Sequence, residues 1–520
     1  MTTIGFSRRG LRIRELWPLG AVTLAVVVLA ALGHLPTWSG LVHLVALPPL
    51  DVFTDLRVLL PAAGSWPMFV LVLLVVLGVR VVVLAYLLGG PTRQTVGRAA
   101  LFYALSFPLL LLAAALNAAA FTVLYARVFW VSVAVVALVV VTCAAAPWQG
   151  GTRLRTAFAR SWRRGLRLEV LVPYAVVLVG LGVVAEVVPG TAIVLVPVSA
   201  VLTVVAIRAL RGPPVHRPRA VVAGVLVGAA AVTIVLVWTR PDDDAPVAAP
   251  PQDGSLLLMA GINSSSGRGA MVEADPGALG YDCAQTHYFS YAGPGSGQPR
   301  GDALCPIRTG APFGAEDTHR PLDEQVEAFA RQTADLPPPV TVAAHSHAGW
   351  VAWQALADGV AEVDTLVLVS PFPDSVLPLP PIDPSAEDPT ATPFGDVLRG
   401  LVAASDLLDF NADLEAPIAN ELFGSGNRVG QILSQELPHD VRSLSVTAVT
   451  DLPLMPDGRR LDVERNACPL RVAHTNMPSS AAFYAETAAF LNQEPGPSCP
   501  PWRGWGAIAF RPLGAAPAQP

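Results

Sequence analysis

The chain has 520 residues, of which 52% are hydrophobic and 14% charged, and its mean hydropathy is +0.50. This excludes an ordinary soluble enzyme, in which about a quarter of residues are charged. The charge is also divided. Through Arg240 there are 20 Arg and five acids, a net of +15, whereas the remaining 280 residues hold 14 Arg and 35 acids, a net of −21. No Lys occurs anywhere. An acidic second half excludes nucleic acid as its partner, because phosphate binding needs clustered positive charge.

In the basic half, apolar runs at 16–33, 68–88, 100–124, 128–146, 170–188, 191–207 and 220–238 approach the roughly 20 residues that cross a hydrocarbon core. Seven spans are therefore expected over residues 1–238. With the N-terminus inside, 16 Arg fall on inner segments and three (Arg57, Arg127, Arg240) outside, so the positive-inside bias puts the second half on the extracytoplasmic face. Ser7-Arg8-Arg9-Gly10-Leu11 resembles a twin-arginine signal, but no small-x-small cleavage site follows, so an uncleaved first span is expected. The outer segment 34–66 is expected on the membrane surface. Arg80, mid-span, is expected to face the bundle and pair with backbone carbonyls or Asn117.

Residues 239–255, acidic and Pro-rich, read as an extended tether. Beyond it lie Cys283, Cys305, Cys468 and Cys499. An even number in an exported domain indicates two disulfides, and of three pairings the two local ones are expected: Cys283 with Cys305, and Cys468 with Cys499. There is no CxxC spacing, so no metal site is indicated, and no organic cofactor is implied. Cys143 reads as a small apolar residue within a span.

From 256 to 495, β-rich runs (256–260, 286–292, 340–344, 365–369, 443–449, 470–473) alternate with helical stretches (321–333, 348–357, 479–492). That alternation predicts an α/β domain with a mostly parallel sheet, followed by a Pro/Gly-rich tail at 496–520. Ligands of such sheets bind at the carboxyl ends of the strands.

The most informative junction is Val340-Thr-Val-Ala-Ala-His-Ser-His-Ala-Gly349. A strand ends, Ser346 follows at a sharp turn, and a helix begins between small residues Ala344, Ala348 and Gly349. The pattern resembles the nucleophile elbow of the α/β-hydrolase superfamily, with Ala where Gly is usual. The resemblance covers about 256–492 and implies a reduced core of about six strands, as in cutinase-like or small lipase-like members. It also implies a later acid and a last His: Asp451 directly after the fifth β-run, and His474 directly after the sixth. Asp374 is the rival acid, with Asp457 and Asp462 weaker. His439 precedes the acid's strand, and His345 is expected to support the elbow. The superfamily's oxyanion donors carry over to the N–H groups of His347 and Ile262, the latter beside Asn263 in Ala260-Gly-Ile-Asn263.

The insertion 370–442 falls where this superfamily often carries a cap. It opens Pro-rich (376–393), then presents Val397, Leu398, Leu401, Val402, Leu407, Leu408 and Phe410 on a helical stripe. That stripe is expected either to cover the site or to pack on the sheet. Two function classes remain. One is a membrane-anchored extracytoplasmic serine esterase, lipase or acyltransferase acting on a lipid or envelope ester. The other is a non-catalytic binding or scaffolding module carried by a functional membrane domain. A third reading, a transporter with an accessory domain, rests on Arg80 alone. Arg-only usage suits a bacterial cell-envelope protein from a GC-rich genome.

Overall fold

The computed structural model describes residues 13–150, 153–188, 190–213, 249–372, 377–379, 392–403, 413–424, 428–455 and 461–516. The N-terminal half contains helices α1 (Ile13–Ala31), α2 (Leu50–Ala62), α3 (Trp66–Leu87), α4 (Arg93–Thr122), α5 (Ala126–Cys143), α6 (Leu154–Arg163), α7 (Leu168–Val187) and α8 (Thr191–Arg211). Among the described residues, five helical stretches are long and apolar enough to cross a membrane, formed on α3, α4, α5, α7 and α8. The apolar part of α1, Glu15–Ala31, falls short of that length. The seventh expected span, 220–238, lies outside the described residues. Helix α4 starts seven residues before the apolar run because Thr92 caps it: its hydroxyl accepts the Thr95 N–H at 3.2 Å, and the Thr95 hydroxyl accepts the Thr92 N–H at 2.9 Å.

The middle of segment 34–66 is packed inside the bundle, while its two ends are exposed. A tight turn at Ser39–Val45 is buried throughout, and α2 buries Val52, Phe53, Leu56 and Leu60 in the bundle core. The polar residues of these pieces, among them Asp51, Thr54 and Arg57, are buried as well and find their partners inside the protein. Helix α2 also supplies the partners of Arg80, which differ from those expected. The Arg80 guanidinium holds Asp55 through two hydrogen bonds of 2.7 Å, with Asp51 at 3.8 Å, and Tyr103 donates to Asp51 at 2.9 Å. Asn117 instead donates to the Leu513 carbonyl at 2.9 Å. Buried charges need partners, and two carboxylates from a segment read as exposed supply them. Arg167, fully buried, donates to the carbonyls of Ala209, Leu210 and Gly212 and so satisfies the end of α8.

In the C-terminal half, strands β1 (Ser255–Met259), β2 (Thr286–Tyr288), β3 (Val340–His345), β4 (Thr365–Val369), β5 (Arg442–Val446) and β6 (Arg465–Asn466) form an all-parallel sheet in the order β2-β1-β3-β4-β5-β6. The last strand lies at Arg465–Asn466 rather than 470–473, where Leu470 makes only an isolated bridge to Ala448. Strand residues are buried on both faces, as parallel sheets require. One face (Leu257, Met259, Val342, Leu366, Leu368) shares a core with α9 (Leu322–Thr333) and α10 (Ala348–Ala357), and that core runs on into the helical bundle. The other face (Leu256, Leu258, Val367, Leu444, Val446) packs on Phe483 and Phe490 of α14 (Ala481–Leu491). Between β4 and β5 lie α11 (Pro393–Ala403), α12 (Pro417–Phe423) and α13 (Arg428–Leu433).

Both local disulfides are formed, Cys283–Cys305 and Cys468–Cys499. The tail is not a loose appendage. After a last helix, α15 (Trp505–Phe510), it enters the bundle, where buried Arg57 donates to the carbonyls of Pro512 at 3.0 Å and Gly514 at 2.5 Å. Arg511 pairs with Glu186 at 3.1 Å, and Phe510 packs edge-on against Trp130.

Candidate functional site

Strand order reverses between β1 and β3, and a parallel sheet leaves a crevice beyond the carboxyl ends of the strands at such a point. Two of the sequence-selected segments end there, Gly261-Ile262-Asn263 after β1 and Ser346 after β3. Ser346 has φ 55°, a left-handed conformation uncommon for a residue with a Cβ, and its N–H is held by the Val369 carbonyl at 2.8 Å. The small neighbours follow from crowding. A Cβ on Gly261 would stand 3.1 Å from the Ser346 Cβ, and one on Gly349 would stand 3.2 Å from Leu368. Ala344 and Ala348 are fully buried.

Asp451 begins the turn beyond β5 and is fully buried, and its Oδ2 lies 2.7 Å from His474 Nδ1. This bond puts the Nδ1 proton toward the carboxylate and leaves Nε2 as the acceptor of a neutral imidazole. Phe372 stacks on the His474 ring at 5.4 Å, and the His345 ring lies 4.9 Å away on another side. His345 Nε2 meets the His474 carbonyl at 3.1 Å, so this residue backs both the elbow and the neighbouring His. Burial, helped by the nearby His474, pushes the His345 imidazole down to about 3, so it stays neutral. Burial and then His319 push His347 down to about 3 as well. His347 stacks on Tyr291, whose hydroxyl donates to the Ala260 carbonyl at 2.6 Å.

Ser346 and His474 line one cavity of about 490 Å³ with Gly261, Ile262 and Asn263. Among the described residues no hydrogen bond joins Ser346 to His474. The N–H groups of Ile262 and His347 likewise carry no intramolecular partner among them. Asn263, at φ 62°, is fixed by Thr318 at 3.0 Å through its N–H and by His319 at 2.8 Å through Oδ1. Asp374 and Asp457 lie outside the described residues, whereas Asp462 and His439 are exposed on the surface. No group of three or more His, Cys, Asp or Glu converges as metal ligands among the described residues.

Sequence reasoning missed one wall of this cavity. Val123, Leu124 and Tyr125, joining α4 to α5, line it beside Ser346 and His474. Arg127 donates to Thr475 at 3.1 Å, and Trp130 donates to the Thr450 carbonyl at 3.0 Å. These contacts link residues over 300 positions apart and leave no local signal. The cap stripe also has an unexpected partner: Leu398, Leu401 and Val402 of α11 face Leu116, Ala119, Val123 and Val128 of the bundle, and Trp66 donates to Asp396 at 2.6 Å. Leu407, Leu408 and Phe410 lie outside the described residues. No protein-family model matches this chain, and neither a curated protein nor a solved structure does.

Proposed function

We propose that this chain is a membrane-anchored serine hydrolase of the α/β-hydrolase type, cleaving or transferring the acyl group of a lipid or envelope ester on the extracytoplasmic side. One observation carries the reading: the 2.7 Å contact of His474 with buried Asp451, on a cavity whose wall also bears Ser346 in a left-handed conformation. The Arg bias of the helical half and the two disulfides support the assigned side of the membrane.

Ser346 Oγ attacks the ester carbonyl carbon while His474 Nε2 takes the hydroxyl proton, and Asp451 steadies the imidazolium that forms. The oxyanion faces the N–H groups of Ile262 and His347, each such donor contributing roughly 100- to 1,000-fold to the rate. The C–O bond breaks, and His474 returns its proton to the leaving alkoxide. Water or an acceptor alcohol then attacks the acyl-serine, passing its proton to His474. The acid or the new ester departs as Ser346 recovers its proton.

The test is labelling of the full-length protein in detergent or nanodiscs with a fluorophosphonate probe, which phosphonylates an activated serine and expels fluoride. Wild-type protein is expected to label, and Ser346→Ala and His474→Ala are not. Folded wild-type protein that stays unlabelled would overturn the reading and leave a non-catalytic binding module on a membrane domain.

A further inference from the structure

The cavity at Ser346 adjoins another on the far side of His474. This second cavity, of about 460 Å³, shares Tyr125, His474 and Thr475 with the first, and its far wall is α5 (Val128, Trp130, Val131). Each volume falls within the roughly 300–1,000 Å³ typical of small-molecule sites. Apart from Arg127, which donates to Thr475, the far wall is apolar, and it belongs to a candidate membrane span. It also reaches the outer surface of that span. Val131 is 37% exposed, and Leu138, two turns further along the same helical face, is 60% exposed. An apolar helix face of this kind on a spanning segment is covered by lipid. The two cavities thus adjoin at Tyr125, His474 and Thr475, and the second is walled by a helix whose exposed residues other than Arg127 are apolar.

We propose that α5 and its connection to α4 form an acyl-chain channel, and that the substrate is a long-chain ester of a bilayer lipid which reaches Ser346 sideways from the membrane. This rests on the serine-hydrolase reading and names the substrate class of that same site. Moving an acyl chain from lipid into an apolar groove exchanges one apolar surrounding for another, so the groove adds little binding energy of its own. It contributes position: a chain held against Val128 and Val131 restricts where the ester carbonyl can lie relative to Ser346 Oγ. The expected signature is chain-length selectivity in kcat/KM set by residues of the membrane half.

The experiment uses the full chain in phosphatidylcholine nanodiscs, with p-nitrophenyl palmitate and p-nitrophenyl butyrate as probes. Val131→Trp and Val128→Phe, which fill the groove, are expected to lower the palmitate-to-butyrate ratio of kcat/KM by about tenfold or more. Val141→Trp, on α5 beyond the groove, is expected to keep the wild-type ratio. Unchanged ratios in both groove variants, in protein that still labels at Ser346, would overturn the channel and leave the hydrolase reading standing. A wild-type protein without Ser346-dependent labelling removes both. Should the groove variants not fold, wild-type nanodiscs holding a phosphatidylcholine with a diazirine in its acyl chain give a second readout. Photo-adducts are expected within 125–131, and their absence there overturns the proposal.

Discussion

Trp130, on a helix of the membrane half, donates its indole N–H to the carbonyl oxygen of Thr450 at 3.0 Å, and Thr450 immediately precedes Asp451. The turn that carries Asp451 is thus held from outside the sheet domain. Replacing Trp130 by Phe keeps most of the apolar volume and removes the donor, a loss of about 1 kcal/mol in the restraint on that turn. The expected result is a roughly fivefold fall in kcat/KM for p-nitrophenyl butyrate with fluorophosphonate labelling retained. An unchanged rate would mean that the turn holds itself.

Asp451 accepts from His474 Nδ1, so Asp451→Asn offers the imidazole a donor or a neutral acceptor and favours the wrong tautomer. A fall in kcat of about 10⁴-fold is expected, with the fold intact by circular dichroism. The same fall from Asp374→Asn instead of Asp451→Asn would transfer the role to Asp374.

The two imidazoles flanking Ser346 set a pH dependence of stability. His345 and His347 are both held near 3 by burial, against 6.5 in an unfolded chain. Between those values the unfolded state binds more protons, so stability is present above about 6.5 and drains away as the pH falls toward 3. Each imidazole contributes a slope of at most about 1.4 kcal/mol per pH unit. Glu486, pushed up to about 7 by burial, acts in the opposite sense between 4.5 and 7. Thermal unfolding followed from pH 7 to pH 4 should therefore show a falling midpoint, and His345→Asn should flatten it. An unflattened slope in that variant would count against a buried neutral His345.

Arg57 is 1% exposed and spends two hydrogen bonds on the carbonyls of the C-terminal segment. Arg57→Met keeps the stem and abandons both carbonyls, at a cost of about 3 kcal/mol. The segment around Pro512 should then open roughly 100-fold more often, measured as faster proteolytic trimming of the tail under conditions that spare the wild type. Equal trimming rates would show that Asn117 and the Arg511–Glu186 pair suffice to hold it.

Much of the sheet domain was legible because its signals are local. A β-run that ends in a serine between small residues is visible in the sequence, whereas the contact that keeps a side chain off Gly349 comes from Leu368 on the neighbouring strand β4. Asp451 and His474 were selected as residues following β-rich runs, and the fold brings these two together at 2.7 Å. The sixth run was misplaced by a few residues because a short edge strand, Arg465–Asn466, carries too little apolar pattern to stand out.

By itself the sequence determined the division into an apolar Arg-rich half and an acidic half, five helices long and apolar enough to cross a membrane, the parallel sheet and the expectation of two disulfides. All of these follow from patterns within a few tens of residues: apolar length, strand-helix alternation and cysteine parity. Tertiary structure alone decided that Arg80 is neutralised by Asp51 and Asp55, and that Arg57 grips a segment 455 residues later. It alone decided that the α4–α5 connection closes one side of the Ser346 cavity. The physical reason is common to the three. A buried charge or an open cavity wall states that some partner is needed, but any surface of suitable shape and polarity can supply it, and only packing the two halves together selects which one does.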